Sequence, residues 1–345
     1  MRLNDALIPH YKCVTIPIHE LKGKVRLSEN YLKEKPTWYM IDGKLKYFKV
    51  RFDYRLFTEQ FFSKFGKDVL GLDTLDYQIA SVRAFKEEDR MGEGEKKIGL
   101  LSDNFQDDRY NYYLVSELLD SEISDLVGYG YSLEGLLSYF KDVLDEESYN
   151  KCKDFLIRLF IADSFTMQLD RNPYNIGFQV PRIDGLKYKQ RLRQENLTGL
   201  PDRDKYVEFG EDGLVKLKGL IPSKVYDNER ILGVDHKNVL LYNHGDIWTP
   251  IWPYNQQLLF ADQGEARVVM DEEYFGLDPN LVELYLNHPE YKEVLERLAY
   301  DDEYRKVLEE FKTSNSQVEV DPDTHEYFEG LLQDRKETIR KVLTF

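Results

Sequence analysis

Cysteine is almost absent. Cys13 and Cys152 are the chain's two, too few and too far apart for a disulfide framework or a zinc site, so packing must hold the fold together. Long apolar runs are missing too: none reaches the roughly 18 residues that a membrane-spanning helix needs, and MRLNDALIPHYK lacks the apolar centre of a secretion signal. Both absences point to a cytoplasmic protein with no membrane association. Positive charge is in deficit, with 47 Lys and Arg against 63 Asp and Glu and a net charge of -16, which disfavours direct binding to nucleic acid. The six histidines are scattered, and His19-Glu20 and His325-Glu326 each lack the second His of a zinc-binding helix.

What is present is apolar mass. A 42% hydrophobic content over 345 residues supplies a sizeable core, in one large domain or two lobes. Much of the acidic excess falls between Asp271 and Phe311, with 13 acids against 4 Lys and Arg, and reads as a solvated helical face. The one basic cluster, Lys187, Lys189, Arg191 and Arg193, fits a loop exterior and a substrate contact equally well.

Tyr11 to Phe52 reads as strands: YKCVTIPI, TWYMID and LKYFKVRF are rich in aromatic and β-branched residues, and Asp42-Gly43 between the last two signals a hairpin. In the outgoing strand Phe48, Val50 and Phe52 alternate with Tyr47, Lys49 and Arg51, so Lys49 faces away from the apolar side and Lys46 lies on the opposite face. RLFTEQFFSKFG follows as an amphipathic helix through Leu56, Phe61, Phe62 and Phe65, ending at Gly66, with Glu59 as its acid. KIGLLS and NYYLVSEL are further strands. After Glu117 the period changes: Leu133, Leu136, Leu137, Phe140 and Leu144 form one helical stripe with Ser132 as N-cap, so Tyr113 to Leu118 reads as the crossover between a β-rich and a helical part, with a simple edge strand as the competing reading. LLYNHGDIWTPIWPYNQQLLF, with Trp248 and Trp252, reads as a structured loop packed on the helical part. Later helix starts are marked by Asp278-Pro279 and by Asn287 ahead of Pro289, and Tyr327, Phe328, Leu331, Leu332, Ile339 and Leu343 form a closing amphipathic helix.

The centre of the chain is FLIRLFIADSFTMQLDRNPYNIGF. As a helix it places Leu156, Leu159, Phe160, Asp163 and Met167 on one stripe, so Asp163 is an acid on a buried face and needs donors, with Arg171 or backbone amides nearest to hand. The helix gives way to a loop holding Asp170, Pro173 and Asn175 before the chain re-enters as Ile-Gly-Phe. Asp-x4-Asn is the spacing of the protein-kinase catalytic loop. The same spacing at Asp145 and Asn150 lies in an ordinary helix start, so the distinction rests on context: the apolar helix, the proline break, the apolar re-entry, and a second acid, Asp227, closing a short apolar run downstream.

Together, LFIADSFTMQLDRNPYNIGF and GLIPSKVYDNERILG resemble the catalytic and metal-binding segments of the HipA-like kinase family, in its short form without an extra N-terminal domain. Asp163, Asp170, Arg171, Asn175, Gly177 and Asp227 match the family's pattern, in which an Asp precedes Asp-Arg-His-x-x-Asn-x-Gly and a later Pro-x-x-Asp-type segment supplies a metal-binding Asp. Asn172 stands where many members carry His, and Pro222 lies five residues before Asp227 instead of three. The likeness covers about 75 residues, 159 to 233.

The resemblance implies an α+β, two-lobed kinase fold, with a β-rich nucleotide-binding lobe over residues 1–115 and a helical lobe over 116–345 carrying the site segments. It implies ATP and Mg²⁺ as cofactors and a Ser or Thr hydroxyl of a protein as acceptor. Asp170 would act on the hydroxyl, Asn175 and Asp227 would hold Mg²⁺, Lys49 braced by Glu59 would grip phosphates, and Glu117 and Leu118 would flank the adenine. Asp163 and Arg171 would support the loop. The segment LKGKVRLSENYLKEKPTW, whose one glycine is Gly23, would cover the phosphates as an irregular loop, with Ser28 a candidate autophosphorylation site. Two other readings fit the same residues: a small-molecule phosphotransferase, and a nucleotide-binding pseudokinase that acts as a binding partner. An antitoxin-like partner is compatible with the resemblance and is not required by it.

Overall fold

A computed structural model of the chain describes residues 10–11, 14–16, 19–20, 37–41, 44–50, 55–83, 96–105, 109–118, 132–168, 171–182, 205, 207–209, 215–226, 228, 231–232, 252–254, 277–312, 318–320 and 322–345. Asp170, Asp227, Cys13, Ser28, Trp248, the Lys187 to Arg193 cluster and the segment around Gly23 lie outside them.

The N-terminal strands are β1 (His10–Tyr11), β2 (Val14–Ile16), β3 (His19–Glu20), β4 (Thr37–Ile41) and β5 (Lys44–Val50). Ile41 pairs with Lys44, so the antiparallel register leaves two residues, Asp42 and Gly43, for the connection, as the hairpin signal requires. Helix α1 (Arg55–Asp68) follows, then β6 (Gln78–Arg83), which sequence reading passed over, and β7 (Lys96–Asp103). These strands make a six-stranded sheet in the order β2-β6-β7-β5-β4-β3, antiparallel except where β2 meets β6. β5 is a central strand. Gly99 of β7 lies opposite Val50, and a Cβ there would fall 2.2 Å from the Lys49 carbonyl oxygen, so only glycine permits this approach beside Lys49.

β8 (Tyr110–Leu114) does not join that sheet. Its partner is β9 (Gly177–Pro181), which also pairs with β12 (Ile221–Pro222), so the chain changes sheets between Asp103 and Tyr110. The crossover expected at Tyr113 to Leu118 is therefore the end of β8, an edge strand of this three-stranded sheet, and a four-residue helix, α2 (Val115–Leu118), because YNYYL finds its ladder in β9.

Helices α3 (Leu133–Val143) and α4 (Glu146–Thr166) start where the caps predict. Ser132 accepts from the Gly135 amide and Asp145 from the Ser148 amide. Asp145 is thus a cap and Asn150 an exposed helical residue, which disposes of the second Asp-x4-Asn match. β10 (Val207–Phe209) and β11 (Val215–Leu217) form a separate hairpin. The chain ends in α5 (Pro279–Asn287), α6 (Lys292–Tyr300), α7 (Glu303–Glu309), β13 (Val318–Glu319), which pairs with β1, and α8 (Pro322–Leu343). Asp278 caps α5 as foreseen, and Asn287 is its last residue; a 3₁₀ turn at Pro289–Tyr291 separates it from α6. No described helix is long and apolar enough to cross a membrane.

α1 is not an ordinary surface helix. Leu56, Phe57, Glu59, Phe61, Phe62 and Phe65 are all fully buried, so it is covered on nearly every side. It runs past Gly66 to Asp68: Gly66 is a packing position, where an added Cβ would stand 3.0 Å from Thr74 Cγ2, and the left-handed residue after the helix is Gly71 (φ +69°). Stacked rings climb its length, Phe57 to Phe61 to Phe65 to Phe165 of α4, with centroids 5.7, 5.9 and 5.3 Å apart. Phe57 also meets Phe311 at 5.0 Å and Phe328 of α8 at 5.6 Å. The helix that sequence assigns to the β-rich part is thereby packed into the helical core. Phe57→Ala should cost about 3–5 kcal/mol of stability, read as a lowered denaturant midpoint; an unchanged midpoint would mean that the ring ladder contributes nothing.

Candidate active site

The segment between α4 and β9 is held from the end of the helix. α4 ends at Met167 in the left-handed conformation (φ 55°), with the Gln168 amide bonded back to the Asp163 carbonyl. For a buried residue other than glycine this conformation costs on the order of 1 kcal/mol and persists because its surroundings determine it. Beyond position 170, the Asn172 carbonyl accepts the Asn175 amide at 2.9 Å and the Asn172 side-chain oxygen accepts the Tyr174 amide at 2.9 Å. Asn172 thus closes a turn beside Pro173, which a short acceptor side chain does well.

Arg171 organises what surrounds this turn. It is fully buried, and its guanidinium makes five N–H to oxygen bonds with the described residues. Nε and Nη2 donate to the two carboxylate oxygens of Asp163 at 2.9 and 3.0 Å. Nη1 donates to the carbonyls of Asn175 and Tyr226, both at 3.2 Å, and Nη2 also donates to Asn228 Oδ1 at 2.6 Å. The planar ion lies 5.7 Å from the ring centre of Phe62 on α1. Asp163, buried on the stripe that sequence predicted, takes a further bond from Trp252 Nε1 at 3.0 Å. Burial pushes the Asp163 carboxyl above the usual carboxylate range, and Arg171 and the Trp252 indole pull against it. Trp252, Pro253 and Tyr254 do pack on the helical part, as their segment suggested.

The second ion pair joins the first through one asparagine. Lys49 Nζ, on the β5 face away from Phe48, bonds Glu59 Oε1 at 2.7 Å, and both residues are buried. Glu59 Oε2 accepts the Asn228 amide at 2.9 Å, and the Asn228 side chain reaches Glu59 at 3.5 Å while its oxygen receives Arg171. Lys46, on the other face, pairs instead with the exposed Asp103. Lys49, Glu59, Asn228, Arg171, Asp163 and Trp252 therefore form one continuous chain of charged and polar contacts. Asn228 escaped sequence reading because its only signal is that it follows Asp227, and nothing in the order of residues pairs Trp252 with Asp163.

The approach to position 227 is fixed from both sides of the chain. β12 pairs Pro222 with Phe178, the Ser223 amide bonds the Gly177 carbonyl, and the Val225 amide bonds the Asp73 carbonyl while its own carbonyl accepts the Leu75 amide. Pro222 is thus part of a strand, which explains its distance from Asp227. Tyr226 and Asn228, the neighbours of Asp227, are each bonded to the Arg171–Glu59 network. The aromatic rings of Tyr47, Phe105, Tyr112 and Tyr226 cluster beside them, and Gly177 is required under Tyr112, whose hydroxyl lies 2.1 Å from where a Cβ would stand. Of the residues expected at the adenine, Glu117 and Leu118 close α2, whose first amides, Val115 and Ser116, bond the Ile176 and Pro173 carbonyls around the Asn175 turn. The structure brings together Lys49, Glu59, Asp163, Arg171 and the turn carrying Asn175.

A β-rich sheet with a buried lysine, a helix presenting its glutamate, and a helical part bearing the Asp-Arg-x-x-x-Asn loop define a two-lobed fold of the kinase type. The fold implied by the resemblance to HipA-like kinases is the one found. Among solved structures the chain is similar to the proinflammatory kinase CtkA of Helicobacter pylori, with a TM-score of 0.54 and 14% identity over 96% of each chain. It is also similar to HipA of Shewanella oneidensis MR-1, solved with HipB and operator DNA, with a TM-score of 0.45 and 10% identity over 87% of this chain and 58% of that one. No family model matches the sequence, and no curated protein matches it.

Removing the Asp163 carboxylate strands a buried guanidinium, so Asp163→Ala should destabilise by about 3–5 kcal/mol. Trp252→Phe, which deletes one donor to a charged acceptor, should cost about 1.5–3 kcal/mol. Urea titrations of both variants check the order; equal losses would place the stabilisation in the Trp252–Asp163 hydrogen bond, which both variants remove, and not in the ion pair.

Proposed function

We propose that the protein transfers the γ-phosphoryl group of ATP to a hydroxyl, with a Ser or Thr of a protein as acceptor. The observation that carries this reading is the buried Lys49–Glu59 pair, tied through Asn228 to the loop of Asn175. A lysine ammonium held in mid-sheet by a helical carboxylate is suited to a phosphate and requires an acid at that helix position, which a purely structural strand lysine does not. Maintaining two buried ion pairs in one connected network also has a desolvation cost that a binding scaffold has no chemical reason to bear.

In this reading Lys49 orients the phosphates, Glu59 positions Lys49, and the backbone around Glu117 and Leu118 meets the adenine. Asp170 accepts the proton of the attacking hydroxyl. The donor set fits Mg²⁺: Asn175 offers a carboxamide oxygen and Asp227 a carboxylate, both hard ligands, on segments whose backbones Arg171 holds together. Bound there, Mg²⁺ would offset phosphate charge. Arg171 acts at one remove, setting the spacing between the Asn175 turn and the Tyr226–Asn228 segment.

The division of labour is testable. Asp227→Asn should weaken magnesium-dependent ATP binding, and Asp170→Asn should leave that binding near normal while lowering single-turnover transfer by about 100-fold or more. Full transfer by Asp170→Asn would remove the mechanism. Lys49→Ala should lose both ATP affinity and transfer; survival of both would remove the assignment of β5 as the phosphate-binding strand. Incubation with γ-labelled ATP and either a protein mixture or small hydroxyl compounds separates a protein kinase from a small-molecule phosphotransferase.

A further inference from the structure

Far along the chain from these segments, α7 and α8 bring three metal-competent side chains together. Glu309, the last residue of α7, and His325 and Glu329, one turn apart on α8, place a ligating atom each within 4.8 Å of one another. Among the described residues this is the one such convergence of three His, Cys, Asp or Glu side chains. His325 is 1% exposed, its Nε2 stands 3.9 Å from Glu309 Oε1, and neither ring nitrogen has a hydrogen-bond partner within ordinary limits. An imidazole so deeply buried ordinarily finds a donor or acceptor, because leaving it unsatisfied costs about 1–3 kcal/mol.

We propose that Glu309, His325 and Glu329 bind a divalent transition ion of the zinc class. One imidazole nitrogen and two carboxylates are a zinc donor set, leaving a fourth position for water. The two cysteines and the absence of a second histidine argued against zinc in the sequence; the missing ligands are carboxylates, one of them on another helix. Glu309 and Glu329 also hold Lys312 at 2.6 Å and Arg305 at 2.8 Å, both with side chains about two-fifths exposed, so each cation can swing to solvent when a metal takes the carboxylate.

The position gives the metal a mechanical role. Phe311, two residues beyond Glu309, and Phe328, one residue before Glu329, are the rings that meet Phe57 on α1. A metal joining α7 to α8 at this point fixes the surface on which the Glu59-bearing helix rests.

The test uses the full chain, stripped with chelator and then titrated with ZnCl₂ in the presence of millimolar Mg²⁺ to occupy sites for hard cations. One zinc per chain should bind and survive dialysis, by calorimetry and elemental analysis, and should raise Tm. Glu309→Gln and Glu329→Gln, whose side chains are only half-buried, should fold normally by circular dichroism and bind zinc at least about 10-fold more weakly, with the Tm rise reduced. His325→Asn should abolish retention. The proposal is overturned if the wild-type chain keeps no zinc, or if folded Glu309→Gln and Glu329→Gln chains keep it with unchanged affinity, which would place the ion elsewhere.

Discussion

A guanidinium without access to water must have its N–H groups bonded inside the protein, and Arg171 meets that condition with groups from three separated segments. Asp163 answers from α4, the Asn175 carbonyl from the turn that Arg171 itself begins, and Tyr226 with Asn228 from the strand exit more than fifty residues on. Each bond is modest in isolation, yet a buried ion that loses one partner suffers the full penalty of the unpaired charge. The arrangement is therefore close to all-or-none. The Asn175 turn and the segment around Tyr226 and Asn228 cannot drift apart without exposing or stranding Arg171.

The constraint spreads outward. Asn228 can serve Arg171 and Glu59 at once only if α1 lies where its ring ladder puts it, against Phe165, Phe311 and Phe328. Glu59 then sets Lys49, and Gly99 lets β7 approach closely enough to keep β5 in register. The backbone strain in the site follows the same pattern. Met167 (φ 55°) and Leu232 (φ 60°) both adopt left-handed conformations, and the Leu232 amide bonds the Thr166 carbonyl at 2.6 Å beside Met167. Two apolar residues tolerate that geometry because the segments carrying them are tied on either side of the network.

This arrangement bears on how such a site is regulated. In a fold where the glutamate-bearing helix is free to swing, the lysine pair is a switch; here the helix is aromatic along its length and buried in the helical lobe. The Lys49–Glu59 pair is accordingly a built-in feature of the folded state.

Local chemistry was legible in the order of residues. Ser132, Asp145 and Asp278 announced their helices because a cap needs only an acceptor next to the amides it satisfies, and alternation put Lys49 on the face opposite Phe48. The buried position of Asp163 followed from a helical stripe, and Arg171, one of the two kinds of donor within reach in the sequence, is the one the fold supplies. Partners that are distant in the chain were not legible. Asn228 and Trp252 are chemically ordinary residues whose roles exist only once three segments converge, and the same holds for Glu309 and Glu329 around His325. YNYYL reads as a strand in any context, but which sheet it joins depends on a ladder with Gly177–Pro181 that no pattern within it specifies. Periodicity and capping are properties of neighbours along the chain; closing a buried ion's hydrogen bonds is a property of the folded volume, and tertiary structure alone decided it.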